Sequence, residues 1–230
     1  MRKKLAYWLF LRIPFWTVVL SFCVVILLKW VPVRYTPLML KRAFQFRSEE
    51  NYPSEQKWVS LEDFSPELIQ AVIACEDNRF FEHRGFDWKE VEKMLEDYNE
   101  KGSRIRGCST ISQQTAKNVF TFGTRTWARK ASETFWTVLI EWIWGKRRIL
   151  EVYLNVAETG RGIYGMEAAS ENYFGIPARR LDRNRAVALA ICLPSPLESS
   201  PDRPTAYSRR RERQILSLIP KLRFPDWVTK

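Results

Sequence analysis

A mostly α domain behind one apolar N-terminal helix is the fold class this sequence predicts. Three observations predict it. Residues 13–28 carry no charge at all. Between residues 61 and 220, apolar residues recur at helical spacing in one segment after another. The strict alternation of a half-buried strand is scarce, and no internal repeat is present.

The apolar run comes first. It extends from Leu9 to Val31 if Arg12 and Lys29 snorkel at its ends, which meets the roughly 20 residues a spanning helix needs. Trp8, Trp16 and Trp30 suit the two interfacial belts. A cleaved signal peptide is the rival reading, but the run is long for one and no small-x-small cleavage site follows. The expected organisation is a short N-terminal tail (1–8), a transmembrane anchor (9–31), a membrane-proximal linker (32–60), a folded domain (61–220) and a C-terminal tail (221–230). Four basic residues precede the uncharged run 13–28 and five follow it closely, so positive-inside counting leaves orientation open.

Charge narrows the function classes. The chain of 230 residues has a formal charge of +11, yet no acid occurs before Glu49 and nine basic residues lie in 1–48. That leaves +2 for the rest, so the domain is nearly neutral and bulk charge makes no case for nucleic acid. The linker is polar and punctuated by proline. Its aromatic patch, Phe44 to Phe46, fits either a lipid surface or a hinge packed on the domain.

The first domain segment is "PELIQAVIACEDNRFF", with apolar residues at 68, 69, 72, 73 and 80 in a helical pattern. Continued as a helix, it puts Glu76, Phe80 and the chain's only histidine, His83, on one face. A carboxylate ending an apolar helix beside an aromatic has a raised pKa, because desolvation disfavours its charged form, and that suits proton transfer near neutral pH. The alternative is a buried salt bridge to a distant arginine.

Next comes "GCSTISQQTAKN", Gly107 to Asn118, after a polar run that ends at Gly107. Thr110 followed by Gln113 fits a capping box that starts a helix, with Thr110, Gln114 and Lys117 on one face. Free N–H groups at a helix start, with a lysine one to two turns in, make an anion site. An ordinary capped surface helix has the same pattern. In "RKASE", Arg129 and Lys130 can converge on Glu133; two cations beside a carboxylate can hold a phosphate, or form only a surface pair.

Two further helices are expected around Gly145 in "TFWTVLIEWIWGKRRILEVYLNVAE". Glycines 160, 162 and 165 then make a close backbone turn, and small residues at 168–170 allow tight packing. "NRAVALAICL" reads as a short buried helix ending before Pro194. Cys23 lies in the anchor, and Cys75, Cys108 and Cys192 leave an odd number outside it, so at least one thiol is unpaired.

Together these segments resemble the peptidoglycan glycosyltransferases, carbohydrate-active family 51. "EDNRFFEHRG" is similar to the family's E-D-x-x-F-x-x-H-x-G, and "GCSTISQQTAKN" to its G-x-S-T-I-T-Q-Q-x-x-K-N. "RKASE" resembles R-K-x-x-E, "KRRILEVYLN" resembles K-x-E-I-L-E-x-Y-L-N, and "RGIYGMEAASENYFG" resembles the last motif. The proline-rich "LPSPLESSPDRPTAYSRRRERQI" is also similar, and the resemblance covers about residues 55–219. Ser112, Cys108 and Arg148 depart from the pattern, which usually has Thr, Gly or Ala, and often Glu there. Arg148 alone reverses a charge. "SEQK" and "SEN" mimic transpeptidase motifs, but no K-T-G follows and no transpeptidase domain fits, so the resemblance is to the monofunctional type.

The resemblance implies a lysozyme-like, mostly α glycosyltransferase domain at the outer, periplasmic face of the bacterial cytoplasmic membrane. It implies that lipid II, a disaccharide–pentapeptide on undecaprenyl pyrophosphate, is joined into β-1,4 glycan with inversion. By the same resemblance Glu76 is the general base on the acceptor 4-hydroxyl. Glu133 assists the leaving pyrophosphate, with Lys117, Arg129 and Lys130 as its electrostatic partners. Asp77, Phe80, His83, Thr110, Gln113, Gln114, Asn118 and Arg125 would line the cleft, with His83 orienting by hydrogen bond. No cofactor is required; a divalent cation, Mg or Mn, at Glu133 is the single candidate, and a lone histidine argues against zinc. The implied partners are lipid II, the growing glycan strand, the bilayer and proteins of wall synthesis or division. The rivals are a lytic muramidase, which would not need "RKASE", and a non-catalytic wall scaffold, which would not keep both glutamates.

Overall fold

The computed structural model describes residues 8, 12–49, 52, 54–102, 109–122 and 126–229. It is mostly helical, as expected. In chain order the helices are α1 (Ile13–Leu28), α2 (Pro37–Gln45), α3 (Pro66–Glu76), α4 (Trp88–Lys101), α5 (Ile111–Phe120), α6 (Trp127–Ile143), α7 (Gly145–Val156), α8 (Met166–Phe174), α9 (Arg183–Ala190), α10 (Ala206–Leu218) and α11 (Asp226–Thr229). Strands β1 (Glu55–Gln56), β2 (Glu158–Gly160) and β3 (Ile163–Tyr164) make one small sheet in the order β1-β3-β2.

Side-chain caps start most of these helices. Ser65 receives the Leu68 N–H, Asp87 the Glu90 N–H, Thr126 the Arg129 N–H and Asp182 the Arg185 N–H. Each satisfies one of the orphan donors of a first turn. α6 and α7 meet at Trp144 and Gly145, where the sequence placed their boundary. Glycine takes the positive φ of 73° there without a Cβ penalty.

The core is built around α5 and α7. α5 packs on α6 and α7, while α3 packs on α9, and α9 on α10. Ile149, Leu150, Val152, Leu154 and Val156 of α7 are fully buried, so the C-terminal half of this helix is central, while Lys146, Arg147 and Arg148 make its first turn polar. Ala169 and Ser170 of α8 are also fully buried, in line with the tight packing expected of them. The glycine-rich turn forms the β2–β3 hairpin, with a bulge between Glu158 and Gly160, and β1 adds to β3 in parallel.

One expectation needs correction. The helix through Glu76 does not run on to His83: it ends at Glu76, and Asp77 takes an extended φ of −163°. Phe80 and His83 lie in the turns that follow, so they reach the site by a reversal of the chain rather than along a helix face. The expected anchor is not shown: among the described residues no helix is long and apolar enough to cross a membrane. α1 has 16 residues, about 24 Å at 1.5 Å per residue, against a hydrocarbon core of about 30 Å. Residues 9–11 of the expected span lie outside the described residues.

α1 is nonetheless attached to the domain. Ser21 and Val25 are buried, the Trp144 indole N–H donates to the Val25 carbonyl at 2.7 Å, and Phe22 meets Trp142 edge-on at 5.9 Å. The linker region contributes α2, which packs on α5, with Arg42 bonded to the buried Glu158 at 2.8 Å.

Candidate functional site

The site forms where the C-terminal end of α3, the N-terminal half of α5 and the start of α6 come together. Glu76 is the last residue of α3 and is half-buried. The Gln114 side-chain amide donates to its Oε2 at 2.7 Å, and the Tyr153 hydroxyl reaches the same oxygen at 3.5 Å and Gln114 Oε1 at 3.3 Å. Burial raises the pKa of Glu76; the Gln114 and Tyr153 hydrogen bonds and the charges of Arg211 and Lys117 oppose that rise.

Lys117 stands one turn further along α5 from Gln114 and is exposed. Desolvation by the surrounding protein lowers its pKa; Glu133 and Glu76 pull it up, and Arg129 and Lys130 push it down. The lysine therefore senses both glutamates and both neighbouring cations. Glu133 itself is 3% exposed. Its two oxygens are taken by Arg129 at 2.6 Å and Lys130 at 2.5 Å, which realises the convergence expected of "RKASE".

The remaining expected residues form the scaffold beneath. The capping box is present: Thr110 accepts from the Gln113 N–H, and the Gln113 side chain accepts from the Thr110 N–H. Two of the amides at this helix start, those of Ile111 and Gln113, are already bonded. Asp77 Oδ2 accepts from the Ile111 N–H at 3.0 Å, so the protein's own carboxylate occupies the positive end of α5. His83 Nε2 lies 2.9 Å from Asp77 Oδ1 and so holds that carboxylate from the other side.

The Thr110 hydroxyl donates to the Gly85 carbonyl at 2.6 Å. Gly85 has a φ of 90°, and a Cβ there would sit 2.9 Å from Thr137, so the turn needs glycine. Phe80 is fully buried, with the Lys146 ammonium 4.4 Å above its ring. Lys146 also bonds Glu141 at 2.6 Å, and Ser112 bonds the same carboxylate. Gln113 and Asn118 are buried too. Thus Gln114 meets Glu76, and Arg129 and Lys130 meet Glu133, with Lys117 near both glutamates, while Asp77, Phe80, His83, Thr110, Gln113 and Asn118 are packed beneath. Arg125 lies outside the described residues.

Among the described residues, Asp77, His83 and Asp87 are close enough to share a cation. Both aspartates already have other work. Asp77 holds Ile111 and His83, while Asp87 caps α4 and faces Arg79 at 3.5 Å.

Two residues of the site escaped the sequence reading. Tyr153 lies in the apolar pattern of α7 and reads as core, which it also is. Arg211 sits in the basic run of α10, where no single arginine stands out. It donates to the Cys75 carbonyl at 3.3 Å, next to Glu76. Cys75 and Cys192 are free thiols; burial pushes the first up to about 12 and the second to about 11, so both are inert packing residues. Cys108 lies outside the described residues.

A family model described as Transglycosylase matches residues 43–219. The chain is 50% identical over 188 residues, 81% of its own length and 79% of the relative's, to a protein of Rhodospirillum centenum named biosynthetic peptidoglycan transglycosylase. It is 43% identical over 218 residues, 94% of its own length and 92% of the relative's, to a protein of the same name from Pseudomonas entomophila. A third, from Bacteroides thetaiotaomicron, is 46% identical over 201 residues, 86% of this chain and 81% of the relative.

Proposed function

The chain belongs to the transglycosylase family, and from that premise we propose how its cleft works. It is a peptidoglycan glycosyltransferase of cell-wall synthesis. We read its substrate as lipid II and its product as β-1,4-linked glycan, formed with inversion and with release of undecaprenyl pyrophosphate. The observation that carries this reading is the pairing of a half-buried, partnered carboxylate, Glu76, with three cations, Lys117, Arg129 and Lys130, across one cleft. Hydrolysis of a glycan needs no such cation cluster; departure of a pyrophosphate does.

Glu76 Oε2 is oriented by Gln114 and Tyr153. It takes the proton of the acceptor 4-hydroxyl. That oxygen then forms a bond to the anomeric carbon of the donor, and the bond from that carbon to the pyrophosphate oxygen breaks. The electron pair leaves with the pyrophosphate. Lys117 meets the charge that develops there, in a site that costs no reorganisation at the moment of reaction. Arg129 and Lys130 add to it, held in place by Glu133. The two glutamates thereby have separate roles set by separate surroundings: among the described residues one lacks a bonded cation and the other is held by two. A divalent cation at Glu133 fits poorly, because it would displace Arg129 or Lys130, and no step is assigned to it.

We place the enzyme at the outer face of the cytoplasmic membrane, with residues 9–31 as its anchor. α1 supports this through its uncharged run, with Phe15, Trp16, Leu20 and Leu27 exposed. A second support is the outer face of α6. Trp127 (90% exposed), Phe135, Val138 and Trp142 (76% exposed) form a stripe at helical spacing, and Trp142 continues it onto Phe22 of α1. Such a contiguous apolar face suits a lipid surface. We read the domain as lysozyme-like.

The test is product analysis. Purified protein in detergent with labelled lipid II should yield polymer that a muramidase digests. Shortening of added glycan, with no polymer made, would favour the lytic reading instead.

A further inference from the structure

Arg148 is a charged side chain that takes no part in the site around Glu76 and Glu133. It lies on α7, largely buried, on the side where α1 ends. Its Nε and one terminal nitrogen reach the Leu28 carbonyl at 3.2 and 2.8 Å, and the same terminal nitrogen reaches the Val31 carbonyl at 2.6 Å. Its other terminal nitrogen bonds Glu151 at 2.6 Å, and the guanidinium lies 5.1 Å over the Trp58 ring.

The end of α1 needs such a partner. Lys29, Trp30 and Val31 turn their amides back on the carbonyls of residues 25–27, which among the described residues leaves the Leu28 carbonyl without a backbone donor. No basic residue lies in the helix's own last turn. A cation from another element therefore meets the negative end of the helix dipole, with a planar fork that one lysine ammonium cannot reproduce. Trp144, on the boundary of α6 and α7, adds the bond to the Val25 carbonyl one turn earlier. Together they grip two successive turns of α1. Glu151 and Trp58 fix the guanidinium in turn.

We propose that Arg148 is a positioning residue: it locks the catalytic domain to the lower end of the anchor and so sets the height and tilt of the cleft over the lipid surface. The purpose rests on the membrane-anchored reading above. The coupling itself does not. A lipid-linked substrate meets the enzyme at a fixed depth, so a domain free to pivot about residues 29–36 presents Glu76 and Lys117 at the wrong height for most of the time. In detergent the substrate can follow the domain, and the lock ceases to matter.

The test uses the full chain in vesicles of phosphatidylethanolamine and phosphatidylglycerol, and again in detergent. Paired spin labels at Leu20→Cys and Arg179→Cys, with Cys23 and Cys108 changed to Ser, report the anchor-to-domain distance. The parent should give a narrow distribution, Arg148→Met a broad one, and Arg148→Lys one between them. Polymerisation by Arg148→Met should fall about tenfold in vesicles, the scale expected of a misplaced reacting group, and stay within about twofold in detergent. An unchanged distribution in Arg148→Met would overturn the proposal, as would an equal loss of rate in both media. A parent that makes no glycan in either medium, yet loses its narrow distribution on Arg148→Met, would uphold the coupling and overturn the enzymatic reading beneath it.

Discussion

Gln114 on α5 donates its side-chain amide to the carboxylate of Glu76 on α3, at 2.7 Å and across 38 positions of sequence. The same amide contacts the Ser109 carbonyl at 3.3 Å, and the Tyr153 hydroxyl lies against both partners. Glu76 is thus oriented by neutral groups and lacks a bonded cation among the described contacts. Burial raises its pKa and these hydrogen bonds hold the rise in check. That balance suits a base that must be ionised to act yet basic enough to take a hydroxyl proton.

Replacing Gln114 by Ala should tip the balance. Glu76 loses its strongest stabilising hydrogen bond, its pKa climbs further, and the acid limb of the rate profile moves to higher pH. At pH 7 the rate should fall about tenfold and recover partly at pH 9. A uniform loss at every pH would assign Gln114 to substrate binding instead.

Lys117 should bound the profile on the other side. Its pKa is lowered, chiefly by desolvation, so the rate should decline as pH rises through a value below that of ordinary lysine. Lys117→Met should remove that limb and cost about 10²–10³ in kcat, the scale of one lost transition-state donor. Initial rates across pH, for both proteins, check this.

Stability should move against activity at position 76. The raised native pKa of Glu76 means that the unfolded chain releases its proton first as pH rises. Native stability therefore falls between the unfolded and native pKa values, and the full contribution is present only below both. Glu76→Gln removes that loss, so its Tm should exceed the wild type at pH 7 by a few degrees. The difference should shrink towards about pH 4, near the unfolded value. Calorimetry at several pH values measures it.

Gly165 tests the fold beneath the site. Its φ of 81° and ψ of 159° lie where essentially only glycine is comfortable, and an added Cβ would meet the Asn155 carbonyl oxygen at 2.6 Å. Asn155 cannot yield easily, because its side chain holds both the N–H and the carbonyl of Val59. Gly165→Ala should cost more than about 2 kcal/mol, read as a lowered denaturation midpoint.

Much of this architecture was legible in the sequence because it rests on local rules. The helix boundary at Gly145, the capping box at Thr110 and Gln113, and the convergence of Arg129 and Lys130 on Glu133 each follow from spacing within a few residues. What spacing could not give was tertiary. The helix through Glu76 stops early because Asp77 leaves it to cap α5, a partner 34 residues away. The same bond fills the helix terminus that reads from sequence as an open anion site. Tyr153 could not be told from core, since it is both buried and bonded to the Glu76 carboxylate. The role of Arg148 depends on where α1 ends in space, which no periodicity encodes.

The central claim is that Glu76 is the base of a glycan-polymerising cleft. The most direct measurement is glycan formation from labelled lipid II by wild type and Glu76→Gln side by side, with lipid II binding and thermal unfolding recorded on the same samples. The account predicts polymer from the wild type. It predicts a loss of at least about 10² in rate from Glu76→Gln, the range for a positioned general base, with binding and folding intact. Polymer from both at similar rates would contradict the account.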